Sequence, residues 1–96
     1  MYAAAVRLEL RIPGVRSLKA KRRVLKGLSS MLTGKFPVAV SEVDHQDHWQ
    51  RATLGVAMVA PQAGRLEHLI HGIQRSMLDH EDVELLEMGV SYMEER

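Results

Sequence analysis

Along residues 2–12 apolar and polar side chains alternate. Val6, Leu8, Leu10 and Ile12 fall on one side, Arg7, Glu9 and Arg11 on the other. A period of two marks a half-buried strand. Pro13-Gly14 ends it. Ser17 then reads as a helix N-cap, because its hydroxyl can accept a bond from an orphan amide of the first turn. The helix is expected to run to about Thr33, with Gly34 as its stop. Leu18, Val24, Leu25, Leu28, Met31 and Leu32 share one side of it at about 100° per residue. Residues 37–43 read as a second strand opened by Pro37. Residues 44–50 form a polar connection, and Arg51 to Ala60 reads as a third strand with Leu54, Val56 and Met58 on one face. So short a connection predicts a hairpin. Pro61 suits the first turn of a second helix. There Leu66, Leu69, Ile70, Ile73 and Met77 follow the helical i, i+3, i+4, i+7 spacing. Asp79-His80-Glu81-Asp82 breaks it. A last strand over about 83–93 places Leu86, Met88, Val90 and Tyr92 on one face.

The order β-α-β-β-α-β, with short connections and right-handed crossovers, predicts an α+β chain of the ferredoxin-like split βαβ type. Its sheet would have four antiparallel strands with both helices on one face. Strands one and three would be central, strands two and four at the edges. The helix side would hold Val6, Leu8, Leu10, Leu54, Val56 and Met58. The open side would hold Arg7, Glu9, Arg11, Thr53, Gly55, Ala57 and Val59. At 96 residues this is one domain, 1–96, with 46% apolar and 26% charged residues, so disorder is not the default. There is no cysteine, which removes disulfides, thiolate nucleophiles and zinc–thiolate sites. No apolar run reaches the roughly 20 residues that span a membrane, and no signal peptide is evident, so a soluble cytoplasmic protein is expected.

The net charge of +1 hides a polarised chain. Residues 1–36 hold nine Lys/Arg against Glu9 alone, a net +8. Residues 37–96 hold four Arg against eleven acids, a net −7. Such polarity suits an anionic partner, self-association, or internal repair in which acidic elements fold back on basic ones.

The cations concentrate on the first helix. Lys19, Arg22, Arg23 and Lys26 fall within about 100° of one another, and Arg16 and Ser17 lie just before the first turn. Lys21 points instead into the apolar sector between Leu18, Leu25 and Leu28. Helix N-termini prefer acids, since their free amides carry partial positive charge. This one has cations only, which is locally unfavourable by a few tenths of a kcal/mol per residue. A docked phosphate would reverse that. A solvated face, with Lys21 snorkelling past the core edge, is the alternative.

Asp44, His45, Asp47 and His48 are metal-ligand types within five residues, but the segment reads as a polar turn, and no metal or cofactor is expected. Trp49, beside Gln50 and Arg51, suits a lid over the core end, a self-association contact, or a stacking platform at a loop contact. Strands one and three lack the open-face aromatics on which RNA-recognition-motif proteins stack bases. No glycine spacing forms a phosphate loop, no serine sits in a nucleophile elbow, and His68 and His71 fall on the polar side of the second helix. An acid–base role for Glu42 with His45 or His48 has only proximity behind it. An enzyme is not expected.

The segments Leu8-Glu9-Leu10-Arg11-Ile12-Pro13, Ser17-Leu18-Lys19-Ala20-Lys21-Arg22-Arg23, Ser41-Glu42-Val43, Trp49-Gln50-Arg51-Ala52 and Leu54-Gly55 resemble the YlxP-like family of bacterial domains. The resemblance covers nearly the whole chain. It implies a ferredoxin-like fold, no established activity and no catalytic residues to carry over. Its members are often encoded beside translation-initiation and ribosome-binding-factor genes, which tilts expectation toward ribosome or RNA work. The leading expectation is therefore a non-catalytic module docking on structured RNA or a ribosomal subunit through Arg16, Ser17, Lys19, Lys21, Arg22, Arg23 and Lys26. The alternative is a self-associating structural or regulatory protein, a homo-oligomer without a nucleic-acid role. Its exposed edge strands and the half-apolar open face around Ala57 and Val59 invite pairing. A third reading is a small enzyme or ligand-binding domain using the 44–51 connection.

Overall fold

A computed structural model describes residues 1–96. Its elements are β1 (Tyr2–Arg11), α1 (Leu18–Lys35), β2 (Ala39–Asp44), β3 (Arg51–Ala60), α2 (Ala63–Leu78) and β4 (Glu84–Glu94). The sheet order is β2-β3-β1-β4, with every pair antiparallel. This is the ferredoxin-like α+β architecture. The most apolar strands, β1 and β3, take the two central places, where both neighbours satisfy their backbone groups.

One core forms between the sheet and the helices. Val6, Leu8, Leu10, Leu54, Val56 and Met58 supply the sheet side, as the alternation predicts. Leu25, Leu28 and Leu32 of α1 and Leu66, Ile70, Ile73 and Met77 of α2 supply the helix side. No helix is long and apolar enough to cross a membrane.

Several boundaries differ from the sequence reading. Gly34 does not stop α1, which continues to Lys35 and closes with Phe36 N donating to Leu32 O at 2.9 Å. Phe36 explains the extension. Its ring occupies the space over Gly72 of α2, where an added Cβ would come within 2.8 Å of it. Tertiary packing thus overrides glycine's tendency to end helices. The glycine that does turn the chain is Gly14, at φ 80°, between β1 and α1. Pro37 lies outside β2, which begins at Ala39. Pro61 precedes the α2 cap residue Gln62 and does not enter the first turn.

β4 carries the largest correction. Its register against β1 slips between Glu9 and Leu10: Glu9 faces Glu87, whereas Leu10 faces Leu85. Leu86 is the extra residue of a β-bulge, and a bulge inverts the side-chain alternation beyond it. Met88 and Val90 pack against the core as expected, but on the far side of the bulge Leu85 does so and Leu86 is exposed. Tyr92 stays on the helix-side alternation, opposite Ala4, yet extends past the helices and is exposed.

The bulge sets a measurable asymmetry between adjacent leucines. Leu85→Asp buries a carboxylate and should lower the urea unfolding free energy by about 2 kcal/mol or more. Leu86→Asp should change it by less than about 0.5 kcal/mol. The reverse order would show that strict alternation holds through β4.

Candidate nucleic-acid interface

α1 buries Lys21, Leu25, Leu28 and Leu32. That spacing, i, i+4, i+7 and i+11, is one helical stripe. A lysine therefore holds a core position at the first turns of α1. Its side chain is 1% exposed, so it does not belong with the surface cations, and its expected place among RNA-contacting residues is corrected. It does not snorkel out either. The ammonium donates to the His45 carbonyl at 2.6 Å and lies 3.0 Å from Glu42 Oε2. Glu42 Oε2 takes no well-aligned hydrogen bond from any group, so Coulomb attraction to Lys21 is what offsets its burial. Glu42 is thus half of a structural ion pair, and neither loop histidine has a ring nitrogen within 4.0 Å of its carboxylate.

Glu42 reaches Lys21 because β2 turns its inner face to α1. Beyond it the register against β3 shifts, with Glu42 facing Leu54 and Asp44 facing Thr53. Val43 is the extra residue and is exposed. The chain then turns through His45, which holds φ 62°, a left-handed conformation unusual for a residue with a Cβ. Three bonds secure it. The His45 amide donates to Asp44 Oδ1 at 2.7 Å, and the His45 carbonyl accepts from the His48 amide at 3.0 Å as well as from Lys21. Asp44 is therefore used by its own backbone turn. The His45 and His48 rings meet edge to face with centroids 5.4 Å apart.

Gln50 ties the other end of this loop. Its side-chain amide donates to the Val15 carbonyl at 3.1 Å, and its own carbonyl accepts from the Ile12 amide at 2.9 Å. The loop after β2 is thus strapped to the β1–α1 connection. Trp49 is exposed on this strap, a place no core-lid role requires. Arg51 is directed to the open face, 4.0 Å from Glu9.

The remaining cations of the first helix behave differently. Arg16, Lys19, Arg22, Arg23 and Lys26 are all exposed. None has a carboxylate within 4.0 Å, whereas Arg7, Arg11, Lys21, Arg51 and Arg96 each do. Internal repair of the charge asymmetry therefore bypasses this stripe. Ser17 caps α1 as expected, accepting from the Ala20 amide at 3.1 Å, and the first turn contains no acid. Arg22 and Lys26 also flank a shallow groove of about 230 Å³ between α1 and the β2 edge, shared with Ser29 and Ser41.

One cluster escaped the sequence reading. On the open face Glu9 accepts from Thr53 Oγ1 at 3.0 Å, and Arg7, His45 and Arg51 surround it at 3.5 to 4.0 Å. Alternation placed Arg7 and Glu9 on this side, but the contribution of His45 depends on the bulge and the left-handed turn. No sequence period encodes that.

Fold and surface together define a small ferredoxin-like domain with an uncompensated basic helix. The chain belongs to the family described as "Protein of unknown function (DUF503)", whose model matches residues 3–90. It is also similar to the uncharacterized protein YlxP of Bacillus subtilis (strain 168), 48% identical over 44 residues. That stretch covers 46% of this chain and 48% of the Bacillus protein, so it spans about half the length of the curated relative.

Lys21 is testable through stability. Lys21→Ala strands the Glu42 carboxylate and opens a cavity, and should cost about 3 kcal/mol in urea unfolding. Lys21→Met with Glu42→Leu removes both charges and should recover most of that loss. Equal losses in the two variants would show that the ion pair contributes nothing specific.

Proposed function

We propose that this domain is a non-catalytic module of the cytoplasm that docks on structured RNA, such as a ribosomal subunit, through α1. One observation carries the reading. Arg16 and Lys19 flank the helix N-terminus, where a helix favours anions, Arg22, Arg23 and Lys26 continue the stripe, and all five are exposed with no carboxylate within 4.0 Å. Phosphates would satisfy these cations and the helix N-terminus at once. Such contacts give affinity and salt dependence, with little sequence choice. Trp49 projects from the strapped loop beside this surface and is available to stack on an unpaired base. The acidic remainder of the chain would orient the domain and limit nonspecific binding.

Fluorescence anisotropy with labelled structured ribosomal RNA, at about 50 and 200 mM salt, tests the reading. Five phosphate contacts predict a log–log slope of about −3.5 to −4.5, an affinity loss of roughly 100- to 500-fold over this range. Arg22→Glu with Arg23→Glu should abolish most binding and flatten the slope by about 2. The same variant should change urea stability by less than about 0.5 kcal/mol, because both side chains are exposed and have no carboxylate partner. Unchanged affinity in that variant would remove α1 from the interface. No binding at the lower salt would overturn the RNA reading.

A further inference from the structure

β2 is an edge strand: β3 pairs with one side of it, and no strand of the chain pairs with the other. On that free side every second residue turns its amide and carbonyl outward. Edge strands usually guard such groups with lysine, proline or a bulge. Here Pro37 lies before the strand and the bulge comes only at Val43, so Ala39–Glu42 is regular and unguarded. The one charged side chain in that stretch, Glu42, is held by Lys21. The other edge strand, β4, carries Glu84, Glu87 and Glu94, and a bulge interrupts it.

The two sides of the β2 edge differ in chemistry. On the helix side lies the groove of about 230 Å³ beneath α1, with Arg22 and Lys26 on it and Ser29 beside them. Neither cation has a carboxylate within 4.0 Å. On the open side a second shallow groove, of about 290 Å³, is lined by Ala5, Ala39, Val43, Gly55 and Ala57, with Ser41 its one polar side chain. Val43 leans across Gly55, where an added Cβ would meet its Cγ1 at 3.0 Å. We propose that Ala39–Glu42 takes an extended protein segment as a fifth strand, one that alternates acidic with aliphatic residues. Successive side chains of a strand point to opposite faces. The acids would then meet Arg22 and Lys26, and the aliphatic residues would lie over Ala39 and Val43. Main-chain bonds to the edge supply affinity, and the two grooves supply selectivity.

Charge and spacing select this occupant. The helix side holds Lys21, Arg22 and Lys26 against Glu42 alone, so it stays net positive once the buried pair is formed. Arg22 and Lys26 are one helical turn apart, a rise of about 6 Å. Same-side residues of a strand repeat at about 6.7 Å, so successive acids match the two cations one to one. A basic segment would be repelled there, and a nucleic-acid backbone has no amides to bond the outward carbonyls of β2. Four residues of strand and two shallow grooves make a small contact, so the complex is transient, with a Kd on the order of 10–100 μM. The edge stands or falls independently of RNA docking. Because Arg22 and Lys26 are common to both surfaces, an added strand and an RNA would exclude one another.

The probe is a labelled, end-blocked six-residue peptide alternating glutamate and valine, read by fluorescence anisotropy at about 50 mM salt against full-length protein up to about 500 μM. Binding within that range is expected. Only alternate amides of an added strand face β2. Methylating the glutamate amides in one peptide and the valine amides in another should therefore give unequal results. One should lose at least roughly tenfold in affinity and the other stay near the parent. The peptide with lysine in place of glutamate should bind at least roughly tenfold more weakly. Arg22→Glu with Lys26→Glu should weaken the parent peptide by a similar factor with unchanged circular dichroism, because both side chains are exposed. No binding, equal affinities of the two methylated peptides, equal binding of the lysine peptide, or an unaffected variant would each overturn the proposal. So would light scattering that shows a dimer of the chain that the peptide does not dissociate, since a second copy would then hold the edge.

Discussion

The Lys21 ammonium fixes the geometry of everything above the sheet's end. Burying an ammonium and a carboxylate is expensive, and their attraction in a low dielectric repays that desolvation only with good geometry. Lys21 therefore contributes orientation more than raw stability. It takes a core position on α1, reaches Glu42 on β2 and closes on the His45 carbonyl, so one side chain joins a helix, an edge strand and a loop. It also sets the roll of α1. With Lys21 pointing inward, successive steps of about 100° put Lys26, Lys19 and Arg23 on the opposite side, and Arg22 at its flank. The outward cations are exposed because this inward one is held.

The same contact accounts for the loop after β2. Asp44, His45, Asp47 and His48 look like ligands when read as composition. In the fold the first two are parts of a turn. Asp44 holds the His45 amide, and the left-handed His45 offers its carbonyl to Lys21. A strained residue of this kind persists only where its surroundings over-determine it. Here the bulge at Val43, the two carbonyl bonds and the Gln50 strap do so together.

The fold was legible because its signals are periodic. Alternation over β1 and β3 and the 3.6-residue repeat on both helices each recur often enough to specify a face, and the order of elements then leaves few topologies. What escaped the sequence is aperiodic. The bulges at Val43 and Leu86 each depend on one extra residue, and the extension of α1 past Gly34 depends on a ring docking on a distant glycine. At the candidate interface, the Ser17 cap and the outward stripe followed from helix geometry. The depth of Lys21 was half legible: its angle gave the direction, but not the carboxylate waiting there from another strand. The Glu9 cluster on the open face is built from three separate segments and carries no local signature.

Placing cations without acids on the first turn of α1 works against the helix itself. Acids at those positions would be worth a few tenths of a kcal/mol each, and none is present. The acids of this chain are numerous enough to have been used there, yet those within reach of arginine serve other cations. Glu84 pairs with Arg11, Glu9 sits between Arg7 and Arg51, and Glu94 meets Arg96. Sequences are usually consistent from local preference to global fold, and departures concentrate where a surface has another task. α1 tolerates its departure because Leu25, Leu28 and Leu32 anchor it to the core regardless of end charge. The core thus compensates for the cost of an exposed cationic stripe, Arg16, Lys19, Arg22, Arg23 and Lys26, none of which the fold pairs with a carboxylate.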